Sequence, residues 1–182
     1  MIINGSQLLQ AHPIRNMLSY KAQFEGVSHG LSEAGYDICL KQTVLFERRL
    51  HKGHYMMCCR RISDAEPPRK RGRPSKNSSL WQPGRFVLGS SIEEFQMPGT
   101  LVGIVHDKST WARQGLSVFN TVIEPGWKGF LTLELVYNGH TDLCIPAGTG
   151  IAQVLFHQVV EPKYYVGKYQ HQADEPVSSK FE

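Results

Sequence analysis

The stretch LSVFNTVIEPGWKGFLTLELVYN, Leu116 to Asn138, decides the fold, because it contains short apolar runs on both sides of a Pro-Gly turn. From Leu80 onward the chain repeats this pattern, with short runs separated by Pro-Gly, glycine or Asn-Gly-His elements at near-regular spacing. Such spacing is typical of consecutive strands, and it predicts an all-β barrel or sandwich. The other runs are FVLGSSIEEF, TLVGIVHD, DLCIPA and GIAQVLFHQVVE.

Few elements are predicted outside this series. We expect a short helix near residues 7–10 and a helical turn at Ser109 to Gln114, whose first turn the Ser109 hydroxyl can cap. Residues 36–41, YDICLK, alternate in the period of two that is typical of a strand with one buried face. The segment from Arg48 begins as a strand or hairpin and changes into a Pro-rich, basic loop at about residue 63.

Length and composition indicate one folded domain spanning residues 1–182. The chain has 41% hydrophobic and 20% charged residues, which is ordinary for a folded protein. It has neither an apolar run of about 18 residues nor a basic and then apolar N-terminus, so we expect a cytoplasmic protein without membrane contact. The four cysteines form no CxxC pair, which favours reduced thiols.

The net charge of +4 is unevenly distributed. Residues 60–76 contain seven basic side chains against Asp64 and Glu66. Within a loop at about 63–79, RKRGRPSK (residues 69–76) resembles the AT-hook, whose arginines enter the narrow minor groove of A·T-rich DNA. Arg71 and Arg73 are therefore candidate DNA-binding residues, while a solvated basic loop without a partner remains the alternative.

The segment from Lys108 to Glu134 combines hydrogen-bond donors for an anion with two candidate bases. The bases are Glu124, beside the Pro-Gly turn, and Glu134, on the following strand. The combination suggests hydrolysis of a phosphorylated substrate. The donors are Lys108, Ser109, Thr110 and Arg113.

The tail, residues 161–182, is polar and aromatic without clear periodicity. Both a disordered end and a flexible lid over an anionic ligand are consistent with its composition. The groups suited to covering such a ligand are Lys163, Tyr164, Tyr165, Lys168, Tyr169, Gln170 and Gln172.

Several ordered motifs resemble the dCTP deaminase branch of the dUTPase superfamily, over about residues 35–172 without the basic loop. They are AGYDICL, the Pro83 to Glu93 segment, KSTWARQGL, IEPGWKGFLTLEL, the P-x-G-x-x-I-x-Q-x-x-F pattern from Pro146 to Phe156, and KYQHQ. The resemblance implies a distorted β-barrel or jelly roll of the dUTPase-like type. It also implies a homotrimer with active sites between subunits, dCTP or dUTP as substrate, and Mg²⁺ bound through the triphosphate.

The resemblance also implies roles for individual residues. Glu134 falls on the catalytic glutamate, Ser109 and Arg113 on the turn that handles phosphates and the base, and the tail closes over the triphosphate. Further substrate-binding candidates are Lys108, Thr110, Asn120, Trp127, Gln153, Tyr165, Lys168 and Gln172.

Deamination requires water to attack the amino-bearing carbon of cytosine. One carboxylate, Glu134, can take the water proton and return it if burial keeps its pKa near working pH, with Ser109 orienting the water. Zinc deaminases instead carry H-x-E and P-C-x-x-C. Because neither signature occurs in the sequence, we expect no zinc and no protein-bound metal site.

Two departures from the family pattern keep alternatives open. Lys108 replaces an arginine, which loses bidentate geometry toward phosphate. The SVFNTVIE link (residues 117–124) is about two residues shorter than is typical of dCTP deaminases. Its length is closer to that of dUTPases, in which an acidic residue at the place of Glu124 activates water against the α-phosphate. A dUTPase is therefore the alternative, as is a bifunctional enzyme that converts dCTP to dUMP. A DNA-binding protein on the same fold is more remote.

Overall fold

The structure is a computed structural model that describes residues 1–62 and 81–181. The AT-hook-like motif with Arg71 and Arg73 lies outside the described residues. The strands are β1 (Ile2–Ile3), β2 (Lys21–Phe24), β3 (Val27–Leu31), β4 (Tyr36–Cys39), β5 (Thr43–His51), β6 (His54–Ile62), β7 (Gln82–Pro83), β8 (Phe86–Gln96), β9 (Leu101–Asp107), β10 (Leu116–Val118), β11 (Val122–Ile123), β12 (Lys128–Tyr137), β13 (Leu143–Ile145) and β14 (Gly150–Gln158). The helices are α1 (Gly5–Ala11) and α2 (Ser109–Ala112).

These strands form three antiparallel sheets. The largest has the order β11-β9-β14-β4-β3-β2, with β1 also pairing to β14. The second has the order β10-β12-β8 and the third β13-β5-β6-β7. The expected all-β architecture is confirmed. Each sheet remains open at its ends among the described strands, so the arrangement is jelly-roll-like and not a closed barrel.

The three sheets share one hydrophobic core. Ile38 from the first sheet, Leu133 from the second and Phe46 from the third are all within 1% of complete burial. The Tyr137 ring packs against Phe46 with centroids 5.1 Å apart and joins the second sheet to the third. Since non-local strand pairing dominates, the core fixes the positions of strand ends that are distant in sequence.

The predicted strands after residue 80 are confirmed as β8 to β14, the helix near residues 7–10 as part of α1, and the hairpin from Arg48 as β5–β6. The prediction of one buried face for the strand at residues 36–41 is wrong. All four residues of β4 are buried, because β4 lies between β3 and β14 and an isolated bridge from Leu40 to Ser91 brings β8 against it. No helix in the described part of the chain is long and apolar enough to cross a membrane.

The predicted cap of α2 is also wrong. The residue before the helix is Lys108, with an extended backbone (φ −91°, ψ 125°), and no side chain caps the first turn. Ser109 is the first helical residue and is exposed. The Ser109 hydroxyl is therefore not used to begin the helix.

Candidate active site

A tight turn at Pro125-Gly126 begins the site. The Trp127 N–H donates to the Glu124 carbonyl oxygen at 3.1 Å. Gly126 has a φ of 77°, as the third residue of a type II turn requires after proline. A Cβ at Gly126 would lie 2.9 Å from the Tyr164 Cα, so glycine is also needed for the close approach of the tail.

Strand β12 follows the turn and carries Glu134. The strand alternates between fully buried and partly exposed residues, and Glu134 lies on the partly exposed face together with Thr132. Across the sheet Glu134 pairs with Leu88 of β8. The buried residues on the opposite face of β12 include Leu133, Leu135 and Tyr137.

The Glu134 carboxyl is partly desolvated. Burial raises its pKa above the ordinary value, although a hydrogen bond from its own backbone N–H opposes that shift. Its Oε2 atom is buried and accepts no hydrogen bond from any residue that the structure describes. An unpartnered carboxylate oxygen of this kind is free to accept a proton from a bound water.

Glu134 and Glu124 line the same cavity, whose volume is about 470 Å³. Apolar side chains from β8 and polar side chains from the tail surround the two carboxylates. The other lining residues are Phe86, Leu88, Thr121, Val122, Trp127, Leu131, Thr132, Tyr165, Tyr169, Gln172, Val177 and Ser179. The cavity therefore places the partly desolvated Glu134 carboxyl beside apolar side chains that can pack against an aromatic ring.

The tail is packed against the Pro-Gly turn. The Tyr165 N–H donates to the Pro125 carbonyl oxygen at 2.7 Å, and the Trp127 indole N–H donates to the Tyr169 carbonyl oxygen at 2.6 Å. Trp127 is 6% exposed. Because its polar atom is used to hold the tail, Trp127 serves here as a buried anchor.

Further along, the tail runs beside the start of β12. Gly129 and Gln172 form a parallel bridge, and the Phe130 N–H donates to the Gln172 carbonyl oxygen at 3.2 Å. The Thr132 hydroxyl lies 3.3 Å from Oε1 of Gln172. Gly129 has a φ of 133°, and a Cβ there would lie 2.6 Å from the Gln172 nitrogen. The tail is therefore packed against the start of β12, and five of its residues line the cavity.

The turn around α2 lies outside this cavity. Ser109, Thr110 and Arg113 are exposed and do not line it. The Trp111 indole N–H donates to the Gly150 carbonyl oxygen at 2.7 Å, which attaches α2 to β14. In one chain, the predicted site is therefore divided into a carboxylate pocket and a separate turn.

A family model described as dCTP deaminase-like matches residues 4–159. The chain belongs to the dCTP deaminase-like family. That match begins before α1 and ends just after β14, so it contains every strand of the three sheets except β1.

Curated dCTP deaminases are similar over most of the chain. The dCTP deaminase of Acidobacterium capsulatum is 31% identical and covers 94% of this chain and 96% of its own. That of Acinetobacter baylyi is 32% identical and covers 86% of this chain and 83% of its own. Among solved structures, the 2'-deoxycytidine 5'-triphosphate deaminase from Agrobacterium tumefaciens aligns with a TM-score of 0.51 at 12% identity, covering 88% of this chain and 50% of that one. The last likeness concerns the fold alone.

The other predicted site residues of this family member are scattered. Asn120 is exposed next to Thr121, which lines the cavity. The Lys168 ammonium donates to the Lys180 carbonyl oxygen and lies 5.7 Å from the centre of the Tyr169 ring. Lys108 and Gln153 are engaged elsewhere, since both donate hydrogen bonds to the Asp37 carboxylate.

Phe86, Leu88 and Thr132 are site residues that sequence reasoning missed. The first two lie on β8 opposite Val136 and Glu134, inside the Pro83 to Glu93 motif, which assigned no role to either residue. Strand register alone could have revealed them, since it places them beside the predicted base.

A second titratable group stands outside the cavity. Burial raises the pKa of Glu93 to about 7, although hydrogen bonds to the carboxylate lower it. The Cys39 N–H donates to its oxygens at 3.0 and 3.2 Å. Within residues 1–62 and 81–181, no group of three or more His, Cys, Asp or Glu side chains is placed to hold a metal ion.

Proposed function

We propose that this protein is a dCTP deaminase that converts dCTP and water into dUTP and ammonia without zinc. The observation that carries the proposal is the Glu134 carboxylate, which is partly desolvated, has an unpartnered Oε2 and lines a cavity of nucleoside size. The dCTP deaminases of two bacteria, similar over most of the chain, support the same substrate.

The proposed reaction uses Glu134 twice. The carboxylate accepts the proton of water as the water oxygen bonds to the amino-bearing carbon of the cytosine ring. It then returns the proton to the amino nitrogen, the carbon–nitrogen bond breaks with its electron pair on nitrogen, and ammonia leaves. The hydroxyl left on the ring carbon becomes the uracil carbonyl as its proton moves to the neighbouring ring nitrogen. Positioned proton transfer of this kind contributes roughly 10²–10⁴-fold to a rate. Ser109 is proposed to orient the water, and Arg113 to neutralise phosphate charge.

A homotrimer is proposed to complete the site. Ser109 and Arg113 do not line the cavity of their own chain, so they would come from a neighbouring copy. The rim of the cavity supports this, because Phe86 and Val122 are 47% and 54% exposed there. Exposed apolar side chains beside a site are typical of a surface that a second chain covers.

We further propose that Mg²⁺ enters with the nucleotide, held by triphosphate oxygens and water. Hard cations of this size are commonly bound through substrate phosphates and not through a protein cage. The chemistry that the ion supplies is neutralisation of phosphate charge. Lys168 and Gln172 of the tail are the proposed protein partners of the phosphates. The proposed location of the enzyme is the cytoplasm.

The test supplies dCTP and dUTP separately with Mg²⁺ and measures ammonia and pyrophosphate. We expect ammonia from dCTP. No ammonia from dCTP at any enzyme concentration would refute the deaminase proposal.

A dUTPase activity, alone or as a second step, is the other candidate, because Glu124 lines the same cavity as Glu134. Pyrophosphate from dUTP would support it, and its loss in Glu124→Gln would assign that step to Glu124.

Contact of residues 69–76 with A·T-rich DNA remains a separate proposal, resting on the sequence alone. A gel shift with A·T-rich and G·C-rich duplexes, at low and raised salt, tests it. We expect Arg71→Ala with Arg73→Ala to weaken binding to the A·T-rich duplex selectively. Equal weakening on both duplexes would leave only nonspecific charge.

A further inference from the structure

A buried polar cluster lies beneath the turn that begins at Lys108. The Asp37 residue on β4 is only 2% exposed. The Lys108 ammonium donates to Oδ2 of Asp37 and to the Ser28 hydroxyl, the latter at 2.9 Å. The Lys108 side chain is only 11% exposed, so the ion pair is largely shielded from water.

Both oxygens of the Asp37 carboxylate are used. Oδ2 also accepts from the Ser28 hydroxyl at 3.1 Å, and Oδ1 accepts from Nε2 of Gln153 at 3.1 Å. The same Gln153 nitrogen donates to the Ser32 hydroxyl at 2.9 Å. The cluster therefore ties β3, β4 and β14 to the residue that precedes α2.

Removing the ammonium from this cluster would leave a buried carboxylate without its counter-ion. A buried charge that loses its partner is far more costly than an exposed one, because water does not replace the lost interaction. Lys108 therefore stays with Asp37 when an anion approaches. Its charge is already neutralised and offers little to a phosphate group.

The other end of the turn is also fixed. Trp111 is bound to the Gly150 carbonyl oxygen, as described above. Two residues beyond Trp111, the Arg113 N–H donates to the Ser109 carbonyl oxygen at 3.1 Å. Ser109 and Arg113 project from this fixed turn and are exposed. Their placement thus depends on Lys108 and Trp111, whose side chains point into the protein.

We propose that Asp37 is a positioning residue, which acts through Lys108 to hold Ser109 and Arg113 in place for the reaction. Lys108 on this reading is an anchor of the turn and not a ligand of the triphosphate. The inference rests on the proposed function, since it assumes that Ser109 and Arg113 serve dCTP. It replaces the substrate-binding role that the sequence suggested for Lys108 and Gln153.

A double-mutant cycle on the full chain distinguishes an anchor from a phosphate ligand. The variants are Asp37→Asn, Lys108→Gln and the two combined, with kcat and KM measured for dCTP. A misplaced turn is expected to lower kcat by about 10²-fold in each single variant. Because both substitutions break one interaction, the double variant should be no worse than the poorer single one.

Two kinetic results would overturn the proposal. If Lys108→Gln raises KM for dCTP and leaves kcat unchanged, Lys108 binds the phosphates directly. If raised Mg²⁺ restores Asp37→Asn, Asp37 acts on the metal ion. Lys21→Gln is the matched control, since it removes an ion pair with Glu33 at an exposed position. We expect its kcat to equal that of the wild type.

A milder variant keeps the test decisive if the charged-pair variants fold poorly. Ser28→Ala removes one hydrogen bond to Asp37 and one to Lys108 without leaving a lone charge. We expect a smaller fall in kcat, and no additional fall when Ser28→Ala is combined with Lys108→Gln. An additive fall would contradict a shared network.

Hydrogen exchange provides a readout that does not need turnover. In Asp37→Asn, the Arg113 amide should exchange about tenfold faster or more, because the turn loses one anchor. The Leu133 amide on β12 should be unchanged. If the wild type fails to deaminate dCTP, the proposed function is refuted, and this exchange experiment still judges the anchor. Unchanged exchange at Arg113 in Asp37→Asn would refute the anchor itself.

Discussion

Replacing Glu134 with glutamine removes the proposed base and keeps the size of the side chain. The carboxyl group is partly buried, its pKa is raised by that burial, and Oε2 has no partner in the described part of the chain. Loss of a general base lowers a rate by roughly 10²–10⁴-fold, which corresponds to about 3–5 kcal/mol of barrier. We therefore expect kcat for dCTP to fall by at least about 10²-fold.

Binding and folding should survive the Glu134→Gln substitution. Burying a charged carboxylate is costly, and the neutral amide of glutamine avoids that cost. The free energy of unfolding at neutral pH should therefore not decrease. The affinity for dCTP with Mg²⁺ should stay close to that of the wild type, since the amide neither repels phosphate nor leaves a void. Ammonia release measures turnover, titration calorimetry measures binding, and thermal unfolding controls for stability.

Glu124→Gln is the matched control, because it removes the other carboxylate that lines the cavity. Ammonia release should persist in that variant. Turnover of Glu134→Gln within a few-fold of the wild type would show that another group takes the water proton. Equal loss in both variants would show that the two carboxylates act as a unit and not separately.

Three further outcomes follow from the same structure. The Glu134 carboxyl must be ionised to act as a base, so activity should fall as pH drops through its raised pKa. The acid limb of the pH–rate profile should therefore lie above the ordinary value of 4.5. An acid limb below pH 4.5 would contradict this. Glu93→Gln should raise the free energy of unfolding at pH 8 by on the order of 3 kcal/mol at most, and hardly at pH 4. The pKa of Glu93 is about 7 in the folded state against an ordinary 4.5, so the wild type loses stability as pH rises through that range. Denaturant unfolding at the two pH values measures the difference between variant and wild type. An equal effect at both pH values would refute the burial argument. Gly129→Ala should displace the tail, because a Cβ would lie 2.6 Å from the Gln172 nitrogen and φ is 133°. Limited proteolysis should then cut the tail faster, and unchanged cleavage would count against the packing of the tail on Gly129.

The strands after residue 80 were predictable because their signal is local. Short apolar runs and turn residues alternate there, and each run became a strand or a pair of strands. Strands β2 and β3 lack such a signal. β2, KAQF, has no fully buried residue, and it exists because its backbone pairs with β3. Pairing between segments of low apolar content is not encoded in their periodicity.

In the candidate site, too, residues close together in sequence were predictable, and contacts between distant residues were not. Glu124, Trp127 and Glu134 line one cavity, and the sequence could place them together because they lie in one continuous motif around a turn. The Asp37–Lys108 ion pair joins residues 71 positions apart, and Lys108 alone looks like a phosphate ligand. The raised pKa of Glu93 was missed for the same reason, since its burial arises only when β8 packs against β4.

Main-chain hydrogen bonds attach much of the tail, beside side-chain contacts of Gln170 and Asp174. The N–H of Tyr165 meets a carbonyl oxygen of the Pro-Gly turn, the N–H of His171 meets that of Lys128, and the Gln172 carbonyl oxygen accepts from Phe130. Backbone contacts are indifferent to side-chain identity. At the positions that bind only through the main chain, the side chain can therefore change without loss of these bonds. Substitutions at those positions can change the lining of the cavity without removing the main-chain bonds that hold the tail.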